Sequence, residues 1–193
     1  CAWNIATGTH TSFCKSRTNN LFAVAKFGVG TSVSYAQPSS SAKTYHIGDY
    51  YNDGVKQGVV FAVENGGRNG KIVSLKHAKG LYWTNDSTEQ KRSIGAKNSA
   101  DGVANMDAVK RISGWQSKYP AFKWCADLGE GWYIPAIEEL KMFTLDESVR
   151  KTVNRSLIVY YGTEIDIRYY WSSTEAGYHK KSGCAWSVLM NNA

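Results

Sequence analysis

The sequence predicts an α+β fold with mixed or antiparallel sheets and two main helices. Three observations carry this. Strand-like runs stand toward both ends of the chain, and the periodic helical segments are confined to the middle, an arrangement that does not alternate as parallel α/β units do. The composition is rich in strand- and turn-forming residues, with 7 Trp, 12 Tyr and 18 Gly against only 3 Pro. At 193 residues the chain is long enough for one large domain with its own core.

Taken in order, residues 1–36 are short mixed stretches whose clearest apolar run is Leu21-Phe22-Ala23-Val24-Ala25-Lys26-Phe27. Residues 37–43 read as a small, polar, Pro-containing linker. The main unit is expected over residues 44–193. It opens with Tyr45-His46-Ile47-Gly48-Asp49-Tyr50-Tyr51, closed by the turn signal Asn52-Asp53-Gly54. Gly58-Val59-Val60-Phe61-Ala62-Val63 and Lys71-Ile72-Val73-Ser74-Leu75 are β-rich runs joined by a Gly-rich hairpin loop.

One helix is expected after Asp101 or Asn105 as cap, with Met106, Val109, Ile112 and Trp115 at three-residue spacing and a stop at Tyr119-Pro120. A second begins near Pro135 and carries Ile137, Leu140 and Phe143 inward. Its Glu138 and Glu139 suit the helix dipole better than a catalytic pair, because adjacent helical residues diverge. A third, short helix is expected over 147–157. The chain then returns to β at Tyr169-Tyr170-Trp171-Ser172-Ser173 and Ala185-Trp186-Ser187-Val188-Leu189.

Charge and cysteine narrow the function classes. A formal +7 invites a nucleic-acid reading, but the basic residues fall in scattered pairs such as Lys91-Arg92 and Lys110-Arg111. No groove-reading motif accompanies them, so a mildly cationic surface is expected and no specific nucleic-acid partner. No apolar run is long enough to span a membrane. There is no secretory leader at residue 1, which reads as a processed or partial chain. Cys1, Cys14, Cys125 and Cys184 form no C-x-x-C pair and lack metal-ligand spacing with the histidines, so neither a metal nor a cofactor is expected. The even count suits an oxidising compartment, with Cys125–Cys184 the expected bridge and four reduced thiols the alternative. No nucleophile elbow, phosphate loop or Ser/His/Asp order appears, and no enzyme is expected.

The two ends echo each other: Cys1-Ala2-Trp3-Asn4 against Cys184-Ala185-Trp186-Ser187. Residues 1–36 therefore read as the tail of a preceding unit, or as an arm that donates a strand to a neighbour.

Gly131-Trp132-Tyr133-Ile134-Pro135, then Trp171-Ser172-Ser173-Thr174-Glu175, then Ala185-Trp186 resemble, in that order, a bacterial branch of the C-type lectin-like superfamily. That branch includes surface-protein domains and the variable proteins of diversity-generating retroelements. The resemblance spans roughly residues 45–190. It implies a C-type lectin-like scaffold in which Trp132, Pro135, Trp171, Ser172, Ser173, Glu175 and Trp186 are structural. It also implies a ligand face carried by loops, here Tyr178, His179, Lys180 and Lys181. The calcium-dependent sugar signature of animal lectins is absent, and so is the close late cysteine pair of formylglycine-generating enzymes. The resemblance thus implies a non-catalytic extracellular or cell-surface module for ligand binding or adhesion, its partner a surface glycan or protein. The alternative is a structural subunit or tandem repeat of an extracellular filament, self-associating by strand exchange. The family's final strand is missing after Leu189, which agrees with its supply by a neighbour's N-terminal segment in a tandem array or filament.

Overall fold

The computed structural model describes residues 10–28, 43–176 and 183–190. These described residues form eight strands and five helices, the strands in one mixed sheet: β1 (His10–Cys14), β2 (Thr18–Gly28), β3 (Tyr50–Asn52), β4 (Gln57–Glu64), β5 (Asn69–Tyr82), β6 (Trp132–Tyr133), β7 (Tyr169–Glu175) and β8 (Cys184–Leu189). The order is β1-β8-β7-β2-β5-β4-β3, with β6 added on β2. All neighbours run antiparallel except β2 and β7, which touch in parallel at Asn20 and Tyr170. Five helices complete the α+β fold: α1 (Gly102–Lys110), α2 (Trp115–Lys118), α3 (Pro120–Asp127), α4 (Ile137–Thr144) and α5 (Glu147–Val159). None is long and apolar enough to cross a membrane.

The N-terminal segment is the main departure from the sequence reading. Expected as a tail or as a neighbour's strand, residues 10–28 here close the sheet of their own chain. β2 lies at its centre, and Leu21, Phe22, Ala23, Val24 and Ala25 are fully buried. The run is apolar on consecutive residues because all five are enclosed in the core: Phe22 meets Phe143 of α4, and β6 hydrogen-bonds alongside β2 at Val24 and Ala25. β1 folds back from it and pairs with β8 of the same chain, whereas the sequence reading expects a neighbour's segment to supply the strand missing after Leu189.

The helical middle is also divided differently. Asp101 caps α1, its carboxylate accepting from Val103 N at 3.1 Å. The helix is capped at Arg111, and Gly114, at a left-handed φ of 70°, sets α2 off from it. Pro120 then opens α3 at its first turn rather than ending a helix, since a proline there has no N–H to leave unpaired. α4 and α5 lie where Pro135 and the 147–157 stretch placed them, α5 running to Val159.

The core between helices and sheet is aromatic. Phe143 of α4 meets Phe61 at 4.7 Å between ring centroids, and Phe22 stacks on Tyr170 at 5.3 Å. Trp83 is wedged edge-on against Phe122 of α3 at 4.8 Å. Each such side chain contributes about 1.5–3 kcal/mol by leaving water, so these rings anchor α3 and α4 to the sheet.

Candidate functional site: a cationic corner above a buried ion pair

Glu175 ends β7, and its carboxylate is the most heavily bonded group at this end of the sheet. It accepts from Ser93 Oγ at 2.9 Å, from Ile94 N at 3.0 Å and from Gly95 N at 3.1 Å. It also forms an ion pair with Lys15, whose side chain is fully buried. Lys15 sits in the β1–β2 turn, donates to Arg92 O at 2.9 Å and lies 4.5 Å from the Trp83 ring centroid. Burial pulls the Lys15 pKa down and the contact with Glu175 opposes that shift. With four donors around one carboxylate, this pair fastens the N-terminal hairpin to the body.

The rest of the W-S-S-T-E run is equally saturated. Trp171 Nε1 donates to Leu81 O at 2.9 Å, and Ser172 Oγ to Trp186 O at 3.0 Å. Ser173 N donates to Pro135 O at 2.8 Å, and Ser173 Oγ accepts from Asn105 Nδ2 at 3.0 Å. Thr174 Oγ1 accepts from Ile137 N at 3.0 Å and donates to Asn98 O at 2.9 Å. Trp132 is buried on β6 beside β2. These side chains join β7, β8 and the start of α4 into one unit.

A second saturated carboxylate is Glu139. It turns inward at the start of α4, accepting from Ala136 N at 2.8 Å, Gly102 N at 3.0 Å and Tyr133 Oη at 3.0 Å, and pairing with Lys71 at 3.0 Å. Only Glu138 stays in solvent beside Lys141, so the two adjacent acids have separate tasks.

Above the Lys15–Glu175 pair an open cleft of about 400 Å³ is lined by Glu89, Arg92, Ile94, Arg111, Ile112 and Lys118, among others. Glu89 is buried at its floor, accepting from Tyr119 Oη at 2.9 Å, with Arg92 at 3.3 Å and Lys118 at 3.9 Å. Burial and Glu89 together push the Tyr119 hydroxyl pKa up, so it remains a donor. Arg111 has no ion pair among the described residues. One carboxylate therefore faces three cations, an excess of positive charge able to hold a carboxylate or sulfate group.

The expected ligand residues Tyr178, His179, Lys180 and Lys181 lie outside the described residues. The two ends of their loop do not: Ala176 N donates to Cys184 O at 3.0 Å, and Lys15 N to Gly183 O at 2.9 Å. Gly183 packs so closely on Gln90 O that a β-carbon has no room. The loop thus leaves and re-enters the fold beside the turn (Glu89–Lys91) that walls the cleft.

The expected Cys125–Cys184 bridge is not formed. Cys14, Cys125 and Cys184 are all free thiols. Cys125 is buried within α3, while Cys184 stands opposite Cys14 across the β1–β8 ladder and shares a hydrogen bond with it. Burial raises the pKa of both Cys125 and Cys184. Among the described residues no cluster of three or more His, Cys, Asp or Glu side chains is placed to hold a metal ion.

Sequence reasoning missed Lys15, Glu89 and the cleft. Arg92 and Arg111 were visible only as members of scattered basic pairs. They converge because the Glu89–Lys91 turn and the ends of α1 and α2 meet at one corner, which no local spacing reveals. Compared with family models, curated proteins and solved structures, the chain matches none.

Proposed function

We propose that this chain is a non-catalytic ligand-binding module of C-type lectin-like type, working outside the cell or at a bacterial cell surface. Its ligand is an acidic surface molecule, a glycan or protein bearing carboxylate or sulfate groups. The single observation that carries this reading is the cationic cleft of Arg92, Arg111 and Lys118 beside the anchored base of the loop holding Tyr178, His179, Lys180 and Lys181. The ordered signatures around Trp132, Trp171 and Trp186 support the scaffold, because their polar groups are spent on the fold and leave binding to the loop and cleft. The formal +7 charge favours capture of an anionic partner.

The test is binding to immobilised oligosaccharides, carboxylated or sulfated against neutral ones of the same length. The acidic set binds, more weakly as salt rises, and alanine at Tyr178, His179, Lys180 and Lys181 lowers affinity with the melting temperature unchanged. Arg111→Glu abolishes the preference for acidic ligands. Equal binding to neutral and acidic sets would contradict the cleft's role. Parallel loss of affinity and stability in the loop variant would assign those residues to the fold.

A further inference from the structure

Among the described residues, β2 is the only strand linking the β7–β8–β1 group to the β5–β4–β3 group. The described body, residues 43–176 and 183–190, therefore contains a slot one strand wide and a free β8 edge, both filled by residues 10–28. Lys15 keys the fit by entering the pocket formed by Glu175, Trp83 and Arg92 O.

The sequence between this insert and the body is far longer than its span. Phe27, at the end of β2, lies 5.2 Å between ring centroids from Tyr45 of the body. The intervening stretch 29–42 holds 14 residues, including Gly30, Pro38 and five serines, and 14 residues reach on the order of 45 Å when extended. That length is enough to reach a second body as well as its own.

The β1–β8 register connects this slot to the echo between the chain ends. A shift of 183 residues (184 less 1) lays Cys1-Ala2-Trp3 on Cys184-Ala185-Trp186 and puts Ile5 on the fully buried Val188. In the sheet, Cys14 pairs with Cys184 and His10 with Val188. Under the same shift Cys1 corresponds to Cys184, the partner of Cys14, and Ile5 to Val188, the partner of His10, with the sequence Ala6-Thr7-Gly8-Thr9 left between Ile5 and His10. Four residues, one of them Gly, are an ordinary hairpin connection. A coincidental tripeptide has no reason to fall in a register that leaves a hairpin-length connection.

We propose that residues 10–28 are the closing piece of a repeating fold, so that the slot they fill in their own chain equally accepts residues 10–28 of a second copy. In a succession of copies, residues 184–188 of one run through a four-residue turn into the β1–β2 hairpin of the next. Within one chain the long link keeps the insert at high effective concentration and the closed monomer prevails; a neighbouring copy competes as protein concentration rises. This inference is independent of the ligand-binding reading, and neither test below uses a ligand.

The first test is a permuted chain in which residues 43–189 run directly into residues 7–28. It retains every described strand and helix and puts Thr7-Gly8-Thr9 after Leu189. The permutant is expected to be monomeric, with the near-ultraviolet circular dichroism of the original chain and a melting temperature equal or higher. A well-folded permutant melting more than 10 °C lower, by the roughly 2–4 °C per kcal/mol of a domain this size, would overturn the proposal.

If the permutant does not fold, cross-linking of the full chain decides. Two populations, Cys14→Ser and Cys184→Ser, each also Cys1→Ser and Cys125→Ser, are unfolded, mixed and refolded at increasing concentration. Oxidised glutathione is then added, taking up the two thiol hydrogens and leaving as two reduced glutathiones. A dimer joined Cys14 to Cys184 between chains, growing with refolding concentration, supports exchange. Monomers alone at every concentration overturn it.

Discussion

Replacing Lys15 by Met keeps most of the buried stem and removes the ammonium that faces Glu175. The carboxylate then stays buried with only Ser93 Oγ, Ile94 N and Gly95 N as donors, and Arg92 O loses its partner. Breaking a buried pair from one side costs about 3–5 kcal/mol. Three surviving hydrogen bonds to Glu175 put this case at the lower end, about 3 kcal/mol, a melting temperature lower by roughly 6–12 °C in a domain of this size. Urea unfolding followed by circular dichroism reads the effect, the midpoint falling with an unchanged slope. Lys123→Met is the control: its pair with Asp127 lies in solvent, 2.5 Å apart on one face of α3, and its loss is expected within about 0.5 kcal/mol. A Lys15→Met variant less than 1 kcal/mol below the parent would refute the view that this pair fastens the hairpin to the body.

Three further outcomes follow from the same geometry. Glu139→Gln leaves four donors, Ala136 N, Gly102 N, Tyr133 Oη and Lys71 Nζ, facing a side chain without charge; unfolding free energy is expected to fall by about 2–4 kcal/mol, and an unchanged urea midpoint would contradict this. His77 packs edge-on against Phe22 and makes no ring hydrogen bond among the described residues, and its burial holds its pKa below the ordinary 6.5, against a weaker pull from Asp166. The unfolded chain thus takes up this proton first, so His77's contribution is whole above pH 6.5 and shrinks as pH falls toward its lowered folded value; the loss of stability from pH 7.5 to 5.5 should diminish in His77→Phe, and an identical loss in both proteins would contradict this. Oxidised glutathione should join Cys14 to Cys184, which oppose each other directly, while Cys125 stays unmodified in the interior of α3; peptide mass spectrometry showing Cys125 in a bridge would contradict the packing.

Much of the fold was legible because local signals and final contacts agree. Pro135, the spacing of Ile137, Leu140 and Phe143, and the turn chemistry of Asn52-Asp53-Gly54 place α4 and the β3–β4 hairpin; Asp53 Oδ1 accepts from Val55 N at 2.9 Å and Lys56 N at 2.6 Å. Pro120 misled because the same residue stops one helix and starts another, and Gly114 decides which. Glu139 was read through its helix alone, whereas Gly102, Tyr133 and Lys71 reach it from three other segments. The cationic corner was hidden for the same reason. Lys15 has no periodic context, and its meaning arises only when the β1–β2 turn meets Glu175, a residue 160 positions away.

The central claim is that residues 10–28 are an integral, separable part of the sheet. Its most direct measurement is the thermal unfolding of residues 43–193 expressed alone, then mixed with a peptide of residues 10–28. The expected result is no cooperative transition without the peptide and a cooperative one with it, lost again when the peptide carries Lys15→Met. A stable monomer of residues 43–193 with a sharp transition of its own would contradict the account.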